Sequence, residues 1–264
     1  MIELICIDVD GTLVGASGEV SAAVWRAASV ARARGVRLAI CSGRPAFGVT
    51  RGYAERLGPN AWHVFQNGAS VVHLPDGETR SRTIPPTIVT TLIDRSRALQ
   101  RPLELYTDTD YTVEVDLPRT RRHADLLGVP FVRRDLHFLR GPVVRAQWLV
   151  SHEESDALLA EPHDGLMLSH SRSPVMPDTS FVNLTPAGVD KASAVRLVAE
   201  GYDIPLAHVM MVGDSANDVS AMRVVGAPVA MGNADAEVHA IAKYEVAHVD
   251  RDGLAEAIAL ALTL

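Results

Sequence analysis

Two aspartates placed directly after an apolar run are the residues of this sequence best suited to chemistry. Asp8 and Asp10 lie in residues 4–14, whose short apolar run is rich in β-branched side chains and closes at Asp-Gly. This pattern predicts a buried parallel strand with both carboxylates at its C-terminal end, where open α/β sheets build their sites. Buried carboxylates need a compensating cation, and Mg²⁺ with a substrate phosphate is the commonest hard-cation arrangement. The pattern therefore favours a metal-dependent phosphate site over a plain turn capped by aspartates.

Further polar residues follow other apolar runs, far away in the chain. Ser42 and Gly43 stand between a run of this kind and the start of the next helix, where a hydroxyl and a glycine amide can cradle a phosphate. Asp214 and Asp218 follow another run, and Lys191, one of only two lysines, precedes it. Because the C-terminal ends of parallel strands converge on one crevice, we expect these groups to meet there. Such a set of groups suits phosphoryl transfer.

The elements that must position these residues fall into two parts. Short apolar strands alternate with amphipathic helices in residues 1–83 and 185–264, which predicts a doubly wound, mostly parallel α/β core. The alternation stops at residues 84–184, where short strands and a few helices predict a smaller, inserted α+β domain. Within the core, residues 70–74 and 79–83 flank a Pro-Asp-Gly turn and are expected to pair as a hairpin.

Composition excludes several classes of function. A net charge of -7 and a pI near 5.8 argue against a nucleic-acid-binding surface. The sequence lacks a run of roughly 18 uncharged apolar residues, and its start has no positively charged leader, so we expect a cytoplasmic protein. Cys6 and Cys41 lie inside predicted strands and are expected to be core residues without a disulfide or metal role. Glycine-rich nucleotide signatures and a His-Glu-x-x-His zinc motif are also absent.

Taken together, the motifs resemble those of the haloacid dehalogenase-like (HAD) hydrolases, and in particular the Cof-type phosphatases. The family's motifs occur in order as Asp8-Val9-Asp10-Gly11-Thr12, Ser42-Gly43-Arg44, Lys191 and Gly213-Asp214-Ser215-Ala216-Asn217-Asp218. The likeness extends through Asn67-Gly68-Ala69, Gly232-Asn233-Ala234 and Asp252-Gly253-Leu254. It implies a Rossmann-like core at 1–83 and 185–264 with a type-two (C2B-like) cap at 84–184.

The resemblance also implies a role for each motif residue. Asp8 would be the nucleophile that forms an aspartyl-phosphate, and Asp10 would protonate the leaving oxygen and then activate water. Ser42, the amide of Gly43 and Lys191 would bind the phosphoryl oxygens.

Mg²⁺ is the cofactor that the resemblance implies. Its ligands would be Asp8, the backbone carbonyl of Asp10, and Asp214, with Asn217 and Asp218 holding the metal shell or its waters.

The predicted function is hydrolysis of the phosphomonoester of a small metabolite, with sugar phosphates and related phosphorylated acids as the expected substrates. Two alternatives stay open: a phosphosugar mutase resembling phosphomannomutase, and a non-enzymatic phosphate-sensing or partner-binding module. We expect a monomer or homodimer that engages neither nucleic acid nor a membrane. Several arginines of the insert could recognise an anionic substrate or could form a solvated face: Arg119, Arg121, Arg122, Arg133, Arg134, Arg140, Arg145 and Arg172.

Overall fold

The computed structural model describes residues 1–173 and 176–264, and the side chains of residues 1–171 and 176–264. The chain forms two compact units. The core unit comprises Met1–Arg44, Gly52–Arg80 and Asp190–Leu264, and the inserted unit comprises Pro45–Arg51 and Ser81–Val189. The side chain of Arg172, one of the arginines named above, lies outside the described residues.

Secondary structure alternates regularly outside the insert. The strands are β1 (Leu4–Ile7), β2 (Arg37–Ile40), β3 (Trp62–Phe65), β4 (Ser70–His73), β5 (Leu103–Tyr106), β6 (Tyr111–Val113), β7 (Arg145–Val150), β8 (Leu166–Ser173), β9 (Met176–Pro186), β10 (Val209–Gly213), β11 (Ala227–Ala230) and β12 (Tyr244–Glu245). The helices are α1 (Ala22–Ala33), α2 (Val49–Leu57), α3 (Pro86–Leu99), α4 (Pro118–Leu127), α5 (His152–Ala160), α6 (Lys191–Gly201), α7 (Val219–Met222), α8 (Ala236–His239) and α9 (Gly253–Ala261). Short 3₁₀ turns connect several of them.

The core unit is built on a parallel sheet with strand order β12-β11-β10-β1-β2. The chain runs outward from β1 to β2, then returns to β10 on the other side of β1. Strand order therefore reverses between β1 and β10, and ligands of open α/β sheets bind at such a reversal. The register pairs Ile7 with both Val212 and Ile40, so that the residues after these three strands emerge at one edge.

The central strands are buried on both faces, which explains their continuous apolar sequences. One face, which includes Cys6, Cys41 and Met211, packs against Val195 and Val198 of α6 and against residues of α7. The predicted doubly wound α/β core with an inserted α+β domain is confirmed. Both cysteines are buried and unbridged, as expected.

The expected hairpin of residues 70–74 and 79–83 forms only close to its turn, where His73 N–H donates to the Glu78 carbonyl (2.8 Å) and Arg80 N–H donates to the Val71 carbonyl (2.9 Å). Strand β4 pairs antiparallel with β3, and only Thr79 of the second segment forms an isolated bridge, to Val72. The physical reason is composition. Residues 78–83 are polar and mostly exposed, whereas β3 offers β4 a buried apolar strand, with Trp62 and Val64 in register.

The inserted unit is an antiparallel sheet of strand order β6-β5-β7-β9-β8 with α3, α4 and α5. One sheet face is apolar and packs on α3 and α5 through Trp148, Val182 and Leu184. The other face is polar. Its buried carboxylate, Glu104, accepts hydrogen bonds from Tyr106, His123 of α4 (2.9 Å) and Gln147 (3.1 Å).

The boundaries of the inserted unit differ slightly from the expected 84–184. The unit extends from Ser81 to Val189 and also includes Pro45–Arg51, so its limit falls inside α2. Across the part of the chain that the structure describes, every helix is too short or too polar to cross a membrane.

Candidate active site

Asp8 begins the loop that leaves β1 and is almost fully buried, with 4 % of its surface exposed. Its backbone N–H donates to the carbonyl of Val212 (3.1 Å), which extends the β1–β10 ladder by one residue and fixes the aspartate beside β10. The chain then forms a tight turn, in which Gly11 N–H donates to the Val14 carbonyl and Val14 N–H donates to the Val9 carbonyl. Asp8 is therefore held rigidly at the reversal of strand order.

Asp10, two residues later, points outward and is 63 % exposed at its side chain. It forms a two-point ion pair with Arg44, whose Nε and Nη2 donate to Oδ2 (2.8 Å) and Oδ1 (2.6 Å). The Arg44 side chain is only 16 % exposed. Two parallel charge-assisted hydrogen bonds fix orientation as well as charge, so Arg44 decides where the Asp10 carboxylate stands.

Asp214 comes directly after β10 and lies against the turn that follows Asp8. A Cβ on Gly11 would lie 2.1 Å from Asp214 Oδ2, and Gly11 also has a positive φ of 79°. Glycine is therefore required there both for the turn and for the close approach of the carboxylate. Thr12 donates to Asp214 Oδ1 (3.3 Å), and Asn233 holds the Gly11 carbonyl (2.8 Å).

Lys191 is the first residue of α6, and its side chain is fully buried. Asp190 caps the helix through a reciprocal pair of bonds with Ser193, which sets the direction in which Lys191 leaves the backbone. The Lys191 ammonium donates to Asp8 Oδ1 (2.7 Å) and to Asp218 Oδ1 (2.6 Å). One lysine thus joins the loops after β1 and β10.

Asp218 uses both of its carboxylate oxygens within the protein. While Oδ1 accepts from Lys191, Oδ2 accepts from the backbone N–H groups of Asp214 (3.1 Å) and Ser215 (3.2 Å). A Cβ on Gly213 would lie 2.5 Å from this carboxylate, so glycine is needed at that position too. In this geometry Asp218 shapes the loop that presents Asp214.

The electrostatics of this carboxylate cluster, Asp8, Asp214, Asp218 and Lys191, are unbalanced. Burial, with the neighbouring acidic groups, raises the pKa of Asp8 from 3.8 to about 7 and that of Asp214 from 3.8 to about 8. Burial acts to lower the pKa of Lys191, but Asp218 and Asp8 outweigh it and hold that pKa above its usual value. Three carboxylates thus share one fixed cation.

A divalent cation fits this donor set. One carboxylate oxygen from each of Asp8, Asp214 and Asp218 lies within 4.8 Å of the others. All the donors are hard oxygens, which suits Mg²⁺, and two positive charges would offset the excess of buried negative charge. Since Asp218 is already saturated by Lys191 and two amides, Asp8 and Asp214 are the better ligands of the three.

Ser42 and Gly43 follow β2 at the same edge of the sheet. Ser42 is buried, its N–H donates to the carbonyl of Val64 (2.9 Å), and its Oγ accepts from the N–H of Arg44 (3.1 Å). Asn217, which the resemblance implies would hold the metal shell or its waters, accepts a hydrogen bond from Ser215 Oγ (2.8 Å) and donates one to Asn67 Oδ1 (3.2 Å).

The structure adds four residues to which the sequence had assigned no role: Arg44, Asn67, Thr12 and Asn233. Each lies inside or beside a motif recognised in the sequence, but motif spacing does not show which polar side chains face which carboxylate. For Asn67 the sequence carried one usable signal, because Asn before Gly favours a left-handed backbone.

Most of the arginines named above in the inserted unit are paired. Arg119, Arg121, Arg122 and Arg134 each form an ion pair with a carboxylate of that unit, and Arg133 donates to a backbone carbonyl. Arg145 is buried, donates to Asn183 (2.7 Å) and stacks on the ring of Tyr106. Arg140 is exposed. Pairing of this kind is typical of a solvated, charge-balanced surface.

Similar proteins are known. YxeH of Bacillus subtilis is 29% identical over 98% of this chain and 97% of its own length. The phosphatase YwpJ of the same organism is 26% identical over 96% of this chain and 97% of its own length. A crystal structure of a haloacid dehalogenase-like hydrolase from Bacteroides thetaiotaomicron superposes with a TM-score of 0.87 at 25% identity, covering 98% of this chain and 99% of that one.

A family model covers nearly the whole chain. The model, described as haloacid dehalogenase-like hydrolase, matches residues 5–258, which include both units and every motif residue discussed above. The predicted family is therefore confirmed, and with it the prediction that the protein is an enzyme: this chain belongs to the haloacid dehalogenase-like hydrolases.

Proposed function

We propose that this protein is a Mg²⁺-dependent phosphatase that hydrolyses the phosphomonoester of a small metabolite through an aspartyl-phosphate on Asp8. The observation that carries the proposal is the carboxylate cluster itself, in which Asp8 and Asp218 bind the buried ammonium of Lys191 and a carboxylate oxygen of Asp214 lies within 4.8 Å of theirs. The excess negative charge favours binding of a divalent cation, and the bound cation would in turn attract a phosphoryl group. The relative named phosphatase YwpJ supports the same reaction class.

Asp8 is the nucleophile in this proposal. Lys191 binds Oδ1, and Oδ2 makes no hydrogen bond within the described part of the chain, so one oxygen is held while the other is available to attack phosphorus in line. The bond from Oδ2 to phosphorus forms as the bond from phosphorus to the leaving oxygen breaks. The ammonium of Lys191 also screens the charge of the phosphoryl oxygens, which Ser42 and the amide of Gly43 bind.

Asp10 is the general acid and base. It donates a proton to the leaving oxygen and then accepts one from the water that hydrolyses the aspartyl-phosphate. Its exposed position at the end of a tight turn leaves it accessible to a substrate, and Arg44 fixes its orientation.

Asp8, Asp214 and the backbone carbonyl of Asp10 would hold Mg²⁺, with Asn217 and Asp218 supporting the loop that presents Asp214. The ion supplies neutralisation of the charge between the attacking carboxylate and the phosphate dianion. Thr12 and Asn233 position Asp214 and the Gly11 carbonyl for this role.

Among phosphorylated metabolites, sugar phosphates fit better than substrates with a second strongly anionic group. The inserted domain, residues 84–184, is where this family carries its cap, and we propose that it selects the leaving group. Its described arginines are largely neutralised by neighbouring carboxylates, such as Arg134 by Asp110 and Arg121 by Asp116. A neutral, hydroxyl-rich leaving group requires no unpaired cation.

The decisive experiment measures phosphate release from a panel of sugar phosphates and phosphorylated acids, with Mg²⁺ and with a chelator, in the wild type and in Asp8→Asn. Metal-dependent turnover that disappears in the variant supports the proposal. Interconversion of sugar phosphates without net phosphate release, dependent on a bisphosphate, would replace the phosphatase by a mutase. No reaction under either condition would contradict both.

A further inference from the structure

A buried loop beside the carboxylate cluster has an uncommon backbone. Gln66 and Asn67 follow β3 with φ values of 52° and 55°, so two consecutive residues with side chains occupy the left-handed region, and Gly68 follows at 100°. Gln66 and Asn67 are both buried. Such conformations are costly for residues other than glycine and persist only where surrounding contacts enforce them. The loop therefore serves something besides chain reversal.

Backbone contacts connect this loop to two of the motif segments. Asn67 N–H donates to the carbonyl of Ser42 (3.0 Å), and Gln66 N–H donates to the carbonyl of Arg44 (2.9 Å). A Cβ on Gly68 would lie 2.1 Å from the carbonyl oxygen of Asp190, the residue before Lys191. The loop is thus fixed against the phosphate-binding segment on one side and the start of α6 on the other.

A chain of hydrogen bonds sets the orientation of the Asn67 side-chain amide. Ser215 Oγ donates to Asn217 Oδ1 (2.8 Å), so the Asn217 NH₂ group faces Asn67 and donates to Asn67 Oδ1 (3.2 Å). Asn67 Oδ1 therefore accepts the hydrogen bond from Asn217, and the Asn67 NH₂ group points away from Asn217. Within the described part of the chain, Asn67 Nδ2 has no hydrogen-bond partner.

This NH₂ group lies beside Gly43. A Cβ on Gly43 would stand 3.0 Å from Asn67 Oδ1 and 3.4 Å from Nδ2, so the amide occupies the space that a side chain at position 43 would need. Asn67 retains 7 % exposure, so its side chain is not sealed from solvent.

We propose that Asn67 is a further phosphate-binding residue, whose Nδ2 donates a hydrogen bond to an oxygen of the transferred phosphoryl group beside Gly43. The inference rests on the proposed function, because it assumes that Ser42 and Gly43 receive that group. The left-handed backbone, enforced from both sides, is what places the amide there, and Asn217 is what turns its donor toward the substrate.

Two substitutions separate this role from a structural one. Asn67→Asp keeps the shape and the oxygen that accepts from Asn217, but replaces the donor by an anionic oxygen that repels phosphate. Asn67→Gly removes the amide and tolerates the positive φ. The matched control is Asp203→Gly, another positive-φ residue (56°) of the core unit, which lies in the turn after α6.

The experiment measures the inhibition constant of inorganic phosphate, with KM and kcat for p-nitrophenyl phosphate, in Mg²⁺. A hydrogen bond to a charged group corresponds to about a tenfold change in affinity or more. We expect the phosphate inhibition constant to rise about tenfold or more in Asn67→Asp and severalfold in Asn67→Gly, and to stay within about twofold in Asp203→Gly.

Two readouts independent of turnover complete the test. Phosphate should raise the melting temperature of the wild type more than that of either Asn67 variant, and it should shift the side-chain NH₂ resonances of Asn67 in the wild-type protein, a measurement that needs no variant to fold. Phosphate affinity unchanged in Asn67→Asp, or unshifted NH₂ resonances in a wild type that binds phosphate, would overturn this inference alone. A wild type that neither hydrolyses phosphomonoesters nor binds phosphate would overturn the proposed function and this inference together.

Discussion

The two units each bury a charged cluster, and the two clusters differ in how well their charges are balanced. In the inserted unit, Glu104 is fully buried and accepts hydrogen bonds from Tyr106, His123 and Gln147, with the buried guanidinium of Arg145 over the Tyr106 ring. We call these five residues the Glu104 network.

In the carboxylate cluster of the core unit, Asp8 and Asp218 share the ammonium of Lys191, and Asp214 lies beside them without a cation of its own. Buried ionic groups stabilise a fold only when each is satisfied, and removing one partner is then strongly destabilising. The Glu104 network meets this condition and the carboxylate cluster does not. The difference indicates that the Glu104 network stabilises the fold, whereas the carboxylate cluster carries an unfavourable excess of negative charge that binding of a divalent cation would relieve.

The largest effect is expected from Asp8→Asn. It should lower phosphatase turnover by at least about 1,000-fold, because an amide cannot attack phosphorus or form the aspartyl-phosphate. If the cluster is unbalanced as described, the metal-free variant should also melt at a higher temperature than the metal-free wild type. Turnover and melting temperature measured on the same preparations check both parts, and a large fall in the melting temperature would contradict the comparison.

Glu104→Ala should destabilise the fold, in contrast to the stabilisation expected for metal-free Asp8→Asn. Loss of this carboxylate leaves Arg145 buried without its compensating charge and His123 and Gln147 without an acceptor, so the free energy of unfolding should fall by about 3–5 kcal/mol. Urea denaturation measures it. Glu3→Ala, which removes an exposed pair with His208 (2.6 Å), is the control and should cost less than about 1 kcal/mol. Equal losses in the two variants would show that the network is not cooperative.

Removal of the metal should make stability depend on pH. The pKa values of Asp8 and Asp214 are raised from 3.8 to about 7 and about 8, so the folded protein binds more protons than the unfolded chain between these limits. The stability they contribute is present below about pH 4 and is lost as pH rises to about 8. Mg²⁺ should restore it, by about 2.7 kcal/mol at 100 times its dissociation constant.

Melting curves at pH 5 and pH 8, with Mg²⁺ and with a chelator, test this dependence. The difference in melting temperature between the Mg²⁺ and chelator samples should be larger at pH 8 than at pH 5 in the wild type. This difference should be smaller in Asp214→Asn. A gap that is the same at both pH values would argue against a metal held by these carboxylates.

His63 should give a smaller pH effect of opposite sign. Its Nδ1 accepts from the Ile40 N–H (3.0 Å) and its Nε2 donates to the Gly58 carbonyl (2.9 Å). Burial lowers the pKa of His63 from 6.5 to about 4 and outweighs the Gly58 hydrogen bond, which acts to raise it. The unfolded chain then binds the extra proton, and stability should fall by up to about 3 kcal/mol as pH drops from 6.5 to 4. His63→Asn keeps the acceptor and should flatten this part of the profile in urea denaturation.

Arg44→Ala should have the smallest effect on stability and a measurable effect on catalysis. Its pair with Asp10 is largely exposed on the aspartate side, so the unfolding free energy should change by less than about 1 kcal/mol. Without the two-point contact Asp10 loses its orientation, and kcat should fall about tenfold with a shifted pH profile. Arg97→Ala, which breaks a similar pair with Glu114, is the control and should leave the pH profile unchanged.

Much of the fold could be predicted from local patterns. Three such patterns are the apolar run of β1, the Asp-Gly turn after it and the return of β-α alternation at residue 185. Each depends on hydrogen bonding and burial among residues that are close in sequence, so it can be recognised from the sequence alone. The main pairing partner of β4 could not be predicted, although the expected partner segment does form an isolated antiparallel bridge with it. Two segments flank that strand, and only the tertiary packing of Trp62 and Val64 decides that β3 pairs with it.

The sequence by itself determined the chemistry available to this protein: which carboxylates, hydroxyl, amide and lysine stand at strand ends, and the family that this order of motifs implies. Tertiary structure alone decided which of them meet. Lys191 bridges Asp8, 183 positions away, and Asp218, while Asn217 orients Asn67 from 150 positions away. Such contacts depend on the register of β1 against β10 and on buried backbone geometry, which no local pattern encodes, because the free energy that fixes them comes from packing the whole sheet.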